Sequence, residues 1–173
     1  MISQIESTTV FEGRVFTVTH DRVELPHGVE TTLDVVRHRG SVVLIPMPDA
    51  SSVILVRQYR HAIGQHVWEL PAGSLEPGED AEVAALRECH EEIGQLATHA
   101  ERLASLYPSP GYTTEVMHFY RLTGLHVPDH TAQQDEDEYL EPKTFSLAEL
   151  RARVTSGEIT DMKTVAALQF LGT

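Results

Sequence analysis

Cysteine is nearly missing from this sequence: Cys89 stands alone among 173 residues. A lone thiol excludes an internal disulfide and gives no sign of an oxidising compartment. Long apolar runs are missing as well, and none approaches the ~20 residues of a membrane span. The opening MISQIESTTV has neither the basic start nor the apolar centre of a secretory signal. Basic residues are few, with 13 Lys+Arg against 26 Asp+Glu and a net charge of -13. Such a surface repels a phosphate backbone and offers no broad basic face to nucleic acid, so an anionic ligand needs local positive charge. The ten histidines are scattered without a ligand spacing such as HxxxH, and read as incidental. Together these absences predict a cytoplasmic protein with no membrane and no nucleic-acid partner.

What is present suits one globular domain over residues 1–173, since 41% hydrophobic content is enough for a core. From Thr9 to about Arg39 apolar and polar residues alternate, with PHG as a turn, which predicts antiparallel strands. SVVLIPM (41–47) and SVILVRQY (52–59) are denser runs joined by PDAS, and predict a buried hairpin of central strands. AERLASLY and EVMHFYRL read as further strands, separated by PSPGYTT. Helices are expected from Ser146 (SLAELRARV) and from Asp161 (DMKTVAALQFL), each opened by a capping residue. QQDEDEYLE (133–141) reads as an exposed acidic loop.

The helix between an N-cap at Asp80 and a stop at Gly94 carries the chemistry. Val83, Leu86, Cys89 or His90, and Ile93 form an apolar stripe for packing. Ala81, Ala85, Glu88 and Glu92 form a second stripe, in which small residues leave room for an approaching group. Glu88, Glu91 and Glu92 crowd the last turn, where the backbone dipole disfavours carboxylates, and Glu88 and Glu92 repel each other at i,i+4. A solvated acidic face with Arg87 beside Glu91 explains the acids but not their position. A bound hard divalent cation reverses the sign of each unfavourable interaction. Cys89, flanked by acids, is a poor nucleophile, and Trp68 reads as core.

Gly73, five residues, Glu79, seven residues, then RECHEEIG resembles the Nudix box, G-x5-E-x7-R-E-U-x-E-E-x-G-U with U apolar, over residues 73–95. All fixed positions match. Cys89 is a small apolar stand-in at one U position and Gln95 departs at the other, which touches helix packing and not a ligand. The resemblance implies an α/β Nudix fold, an α/β/α sandwich around a central mixed sheet, and metal-dependent hydrolysis of a pyrophosphate bridge. It implies Mg²⁺, with Mn²⁺ as a substitute, in two or three ions. The ligands would be Glu88, Glu92 and the Ala72 carbonyl, with Glu91 as an outer or additional ligand. Glu79 and Arg87 would pair to hold the loop against the helix.

The order VRQYRHA, VWELPAGSLEPGE, RECHEEIG, YPSPGYTTE, DEDE resembles the ADP-ribose pyrophosphatase branch over nearly the whole chain, with Pro110 at that branch's proline position. This implies hydrolysis of ADP-ribose to AMP and ribose 5-phosphate. Another nucleoside diphosphate sugar such as GDP-mannose is the nearest alternative, and a non-catalytic nucleotide sensor is a more distant one. It also implies a homodimer with residues 1–39 in the contact. Arg57 and Arg60 are candidates to clamp phosphate, Arg60 being the better match, and each competes with a plain surface salt bridge. Glu115 matches a glutamate near substrate. The general base would come from the downstream acidic run as Glu136, with Glu138 second, on a loop that closes over bound substrate.

Overall fold

The computed structural model describes residues 2–128 and 140–172. Among the described residues ten strands and three α-helices follow in order: β1 (Ser3–Glu12), β2 (Phe16–Glu24), β3 (Glu30–His38), β4 (Ser41–Pro46), β5 (Ser52–Arg60), β6 (Gln65–Glu69), β7 (Ala72–Ser74), α1 (Ala81–Ile93), β8 (His99–Leu106), β9 (Met117–Thr123), β10 (Glu141–Ser146), α2 (Leu147–Thr155) and α3 (Met162–Ala167). A mixed sheet runs β7-β4-β9-β8, with β4 and β9 parallel and the outer pairs antiparallel. An antiparallel sheet runs β10-β5-β6, and β1-β2-β3 forms a separate antiparallel N-terminal sheet.

Strand periodicity divides the core in two. Val42 and Leu44 of β4, with Ile54 and Val56 of β5, face Ala84, Ala85, Cys89 and Ile93 of α1. Val43 and Ile45, with Val53 and Leu55, face the opposite cluster of Phe119, Phe145, Leu150, Ile159, Ala167 and Leu171. Both faces of each central strand are therefore dry, which is why the two runs are apolar without alternation. Helices on either side complete the expected α/β/α layering. No helix among the described residues is long and apolar enough to cross a membrane.

One expectation fails here. β4 and β5 are consecutive and buried but do not pair as a hairpin, because β4 lies between β7 and β9 while β5 lies between β10 and β6. The link between them turns a corner from one sheet to the other. It is held by Asp49, whose carboxylate accepts from the Ser51 amide and the Ser51 and Ser52 hydroxyls, each at 2.7 Å.

The caps appear where side-chain chemistry predicts them. Asp80 accepts from Glu82 N, Ser146 from Glu149 N and Asp161 from Thr164 N, while Gly94 ends α1 in the left-handed region at φ 67°.

Candidate active site

The face that α1 buries keeps Cys89 and Ile93 of the expected apolar stripe but not Val83. Val83 is 58% exposed, whereas Glu88 and Glu92 are 8% and 7% exposed. The Ala84, Ala85, Glu88, Cys89, Glu92 and Ile93 face turns inward, so the two acids sit against the sheet instead of beside it. Cys89 lies on this face, and burial pushes its thiol up to about 12, which keeps it unreactive.

Two features make room for the carboxylates. A Cβ on Gly73 would lie 1.9 Å from the Glu88 carboxylate, so only glycine leaves that carboxylate where it stands. Next to it, the Ala72 amide donates to Glu92 Oε2 at 3.1 Å, which ties β7 to the last turn of α1. Arg87 organises the rest. Its Nε and Nη2 grip both oxygens of Glu79 at 2.9 Å, and its Nη1 donates to Glu88 at 2.8 Å and Glu91 at 2.7 Å. Glu79 also accepts from the Glu76 amide. The Arg87 hydrogen bonds hold the Glu79 carboxyl below its ordinary range, and the bonds that Arg87 donates, foremost those to Glu79, push its guanidinium up.

Glu88, Glu91 and Glu92 line a cavity of about 640 Å³ together with Ala72, Gly73, Glu76, Arg87 and the arginines Arg14, Arg39 and Arg60. Arg60 also pairs with Glu69, Nε to Oε1 at 2.8 Å and Nη2 to Oε2 at 3.0 Å. Burial works against the Arg60 charge. Hydrogen bonds to Glu69 and the charges of Glu69, Glu92 and Asp161 outweigh it and hold its pKa above the ordinary value.

The fold thus brings Ala72, Glu88, Glu91, Glu92 and Arg60 to one cavity. Arg57 is not among the residues lining it and pairs instead with Glu141 across the β5–β10 ladder at 3.6 Å. Glu115 borders a neighbouring hollow of about 330 Å³ walled by Phe16, Val36, Pro108 and Tyr112, and accepts from Ser41 Oγ at 2.8 Å. Glu136 and Glu138 lie outside the described residues. Arg14 and Arg39 were missed: one sits in the β1–β2 turn and the other just past β3, and no local pattern joins them to the box.

The donor set suits a hard divalent cation, being made of carboxylate oxygens in a cradle that a methyl group would fill. Among the described residues no three His, Cys, Asp or Glu side chains converge as a ready cage. A cation here would draw on Glu88 and Glu92 with backbone and ligand oxygens, the shared coordination typical of Mg²⁺ at phosphates.

Fold and site together define a hydrolase built around a Nudix box. The NUDIX domain model matches residues 37–166, and the chain belongs to that family. It is 38% identical over 167 residues to a protein of Bacillus methanolicus named methanol dehydrogenase activator, covering 96% of this chain and 90% of that one. It is 35% identical, with the same coverage, to the ADP-ribose pyrophosphatase of Bacillus subtilis strain 168. A crystal structure of an ADP compounds hydrolase superposes with a TM-score of 0.83 at 26% identity, covering 97% of this chain and 90% of that one.

Proposed function

We propose that the protein hydrolyses the pyrophosphate bond of a nucleoside diphosphate derivative, with ADP-ribose, cleaved to AMP and ribose 5-phosphate, as the leading substrate. The observation that carries this reading is the cavity itself, where two buried box carboxylates face arginines from three separate strand ends. Relatives named for ADP-ribose and ADP compounds support the substrate class. In a chain of net charge -13, Arg14, Arg39 and Arg60 supply the local positive charge that an anionic substrate needs.

Glu88, Glu92 and the Ala72 carbonyl would hold Mg²⁺, or Mn²⁺ in its place, in two or three ions, with Glu91 as the outer ligand. The bound cation supplies charge neutralisation at the phosphates and a water of lowered pKa. Arg60 orients a phosphate, and the Glu79–Arg87 clamp keeps the carboxylates in register. Glu136, or Glu138, would take the proton from the attacking water as the new P–O bond forms and the bridging P–O bond breaks. The hollow bordered by Glu115 shares Val15 with the box cavity, and its aromatic walls suit the nucleoside end. Arg57 is the weaker phosphate candidate because Glu141 engages it. The enzyme would act on cytoplasmic nucleotides as a homodimer.

The test is a panel of dinucleotides and nucleotide sugars, GDP-mannose included, assayed by phosphate release after phosphatase coupling. Preference for ADP-ribose supports the reading, and inactivity across the panel with Mg²⁺ and Mn²⁺ rejects it. The relative named as a dehydrogenase activator favours a second reading, in which this chain acts on a partner protein. Turnover without any partner distinguishes the two, and the retention of every box carboxylate favours turnover.

A further inference from the structure

The segment leading into the box is braced from behind by the C-terminal helix. Glu69, at the end of β6, is 2% exposed, and Lys163 on α3 is 6% exposed. Lys163 Nζ donates to Glu69 Oε2 and, at 3.0 Å, to Asp161 Oδ1. One residue along on both sides, the Leu70 amide donates to Thr164 Oγ1 at 2.8 Å, and Thr164 Oγ1 donates to Asp161 at 2.6 Å. Glu69 and Leu70 run directly into Pro71 and Ala72, so this buried seam holds the strand whose Ala72 amide engages Glu92.

Arg60 is the second partner of Glu69. Its bidentate grip uses Nε and Nη2, which leaves Nη1 outside that pair, and its side chain remains 42% exposed at the box cavity. A buried carboxylate requires a counter-ion. With Arg60 as sole partner, Glu69 would cancel the charge that Arg60 presents. Lys163 supplies a second cation, which balances the two carboxylates of Glu69 and Asp161 together with Arg60 and leaves Arg60 as the cavity-facing cation of the cluster.

We propose that Glu69 and Lys163 are positioning residues for Arg60: they fix one edge of its guanidinium and leave the opposite edge for a phosphate of the ligand. This rests on the diphosphate reading of the cavity given above. The planar fork of arginine makes such an arrangement directional, because fixing two N–H groups sets the plane of the others.

The experiment titrates ADP with Mg²⁺ present into wild type and variants by calorimetry, with melting temperatures as the folding control. Lys163→Met is expected to weaken ADP about tenfold, the low end for one charge-assisted contact. Lys163→Arg recovers affinity to within about threefold. Should Lys163→Met fail to fold, Lys163→Gln, which keeps a hydrogen-bond donor toward Glu69 without the charge, takes its place and shows the same loss. In an Arg60→Met, Glu69→Gln background, adding Lys163→Met changes affinity by less than about twofold. Unchanged binding in the folded single variant overturns the inference, as does a tenfold loss that persists without Arg60. Wild-type protein that binds no ADP removes the diphosphate reading and this inference with it, whereas binding that ignores Lys163 removes this inference alone.

Discussion

Glu88 and Glu92 lie one helical turn apart, buried, at the end of α1 where the backbone dipole is negative. Arg87 offsets part of that cost through Glu88, but it is shared with Glu79 and Glu91. Replacing Glu92 by Gln keeps the shape, relieves a repulsion and removes a proposed ligand. Glu92→Gln is therefore expected to lose about two orders of magnitude in kcat, the scale of removing one preorganised charge-stabilising group, with no fall in melting temperature. Turnover at the wild-type rate with Mg²⁺ would show that Glu92 is not a ligand. Gly73→Ala tests the cradle from the other side. The added methyl must displace the Glu88 carboxylate, which is the flexible end of a side chain, so the fold survives while cation binding suffers. The Mg²⁺ concentration for half-maximal activity should rise about tenfold or more; an unchanged Mg²⁺ dependence would mean that Glu88 has no part in holding the ion.

The loop before α1 is joined to the helix by the Glu79–Arg87 pair, and this link gives the element a pH limit. Arg87 holds the Glu79 carboxyl below its ordinary value, so the folded state favours the ionised form. The resulting stability is fully present above the unfolded glutamate pKa of roughly 4.3 and is lost as pH falls through the lower folded value. Wild type should thus lose melting temperature on acidification below about pH 4 more steeply than Glu79→Gln, while at pH 7 the variant is the less stable of the two. Parallel melting curves across that range would show that the pair contributes nothing. Local chemistry of this kind was legible in the sequence. Asp80, Ser146, Asp161 and Gly94 bound their helices because a cap depends on neighbours within four residues. The Glu79–Arg87 pair, eight residues apart, was legible only through the resemblance to the Nudix box. The pairing of β4 and β5 was not legible, because two dry strands in succession leave open which sheet each one joins. The buried face of α1 was legible only in part: Cys89 and Ile93 are inside as apolar spacing suggests, Val83 is not, and the inward turn of Glu88 and Glu92 depends on Gly73, distant in sequence. Arg14 and Arg39 reach the cavity through tertiary placement alone.

At the scale of the whole molecule, the N-terminal sheet stands apart from the layered core. Every residue of β1 is exposed, and Ile5, Val10, Phe11, Phe16 and Leu33 are large apolar side chains left at the surface. Backbone bonds from Val36 to the 112–114 segment tie this sheet to the core along the edge of β3. A three-stranded sheet with uncovered apolar residues gains by packing against something, and each such side chain fully covered contributes roughly 1.5–3 kcal/mol. A second copy of the chain is the proposed partner. Phe11 pairs in register with Val18, and Leu33 with Asp21, three residues apart on β2, so the two lie on opposite faces of the sheet. Phe11→Glu with Leu33→Glu therefore places charge on both faces, and sedimentation at micromolar concentration should report a monomer where wild type is a dimer. The same change should reach the catalytic cavity, because Arg14 and Val15, which line it, sit in the turn between β1 and β2. A raised KM at nearly unchanged kcat is expected once the sheet loses its cover, since the box carboxylates are built on α1 and stay in place. A wild-type monomer would reject the dimer, and a true dimer whose dissociation leaves KM untouched would show that the N-terminal turn serves assembly without serving the substrate.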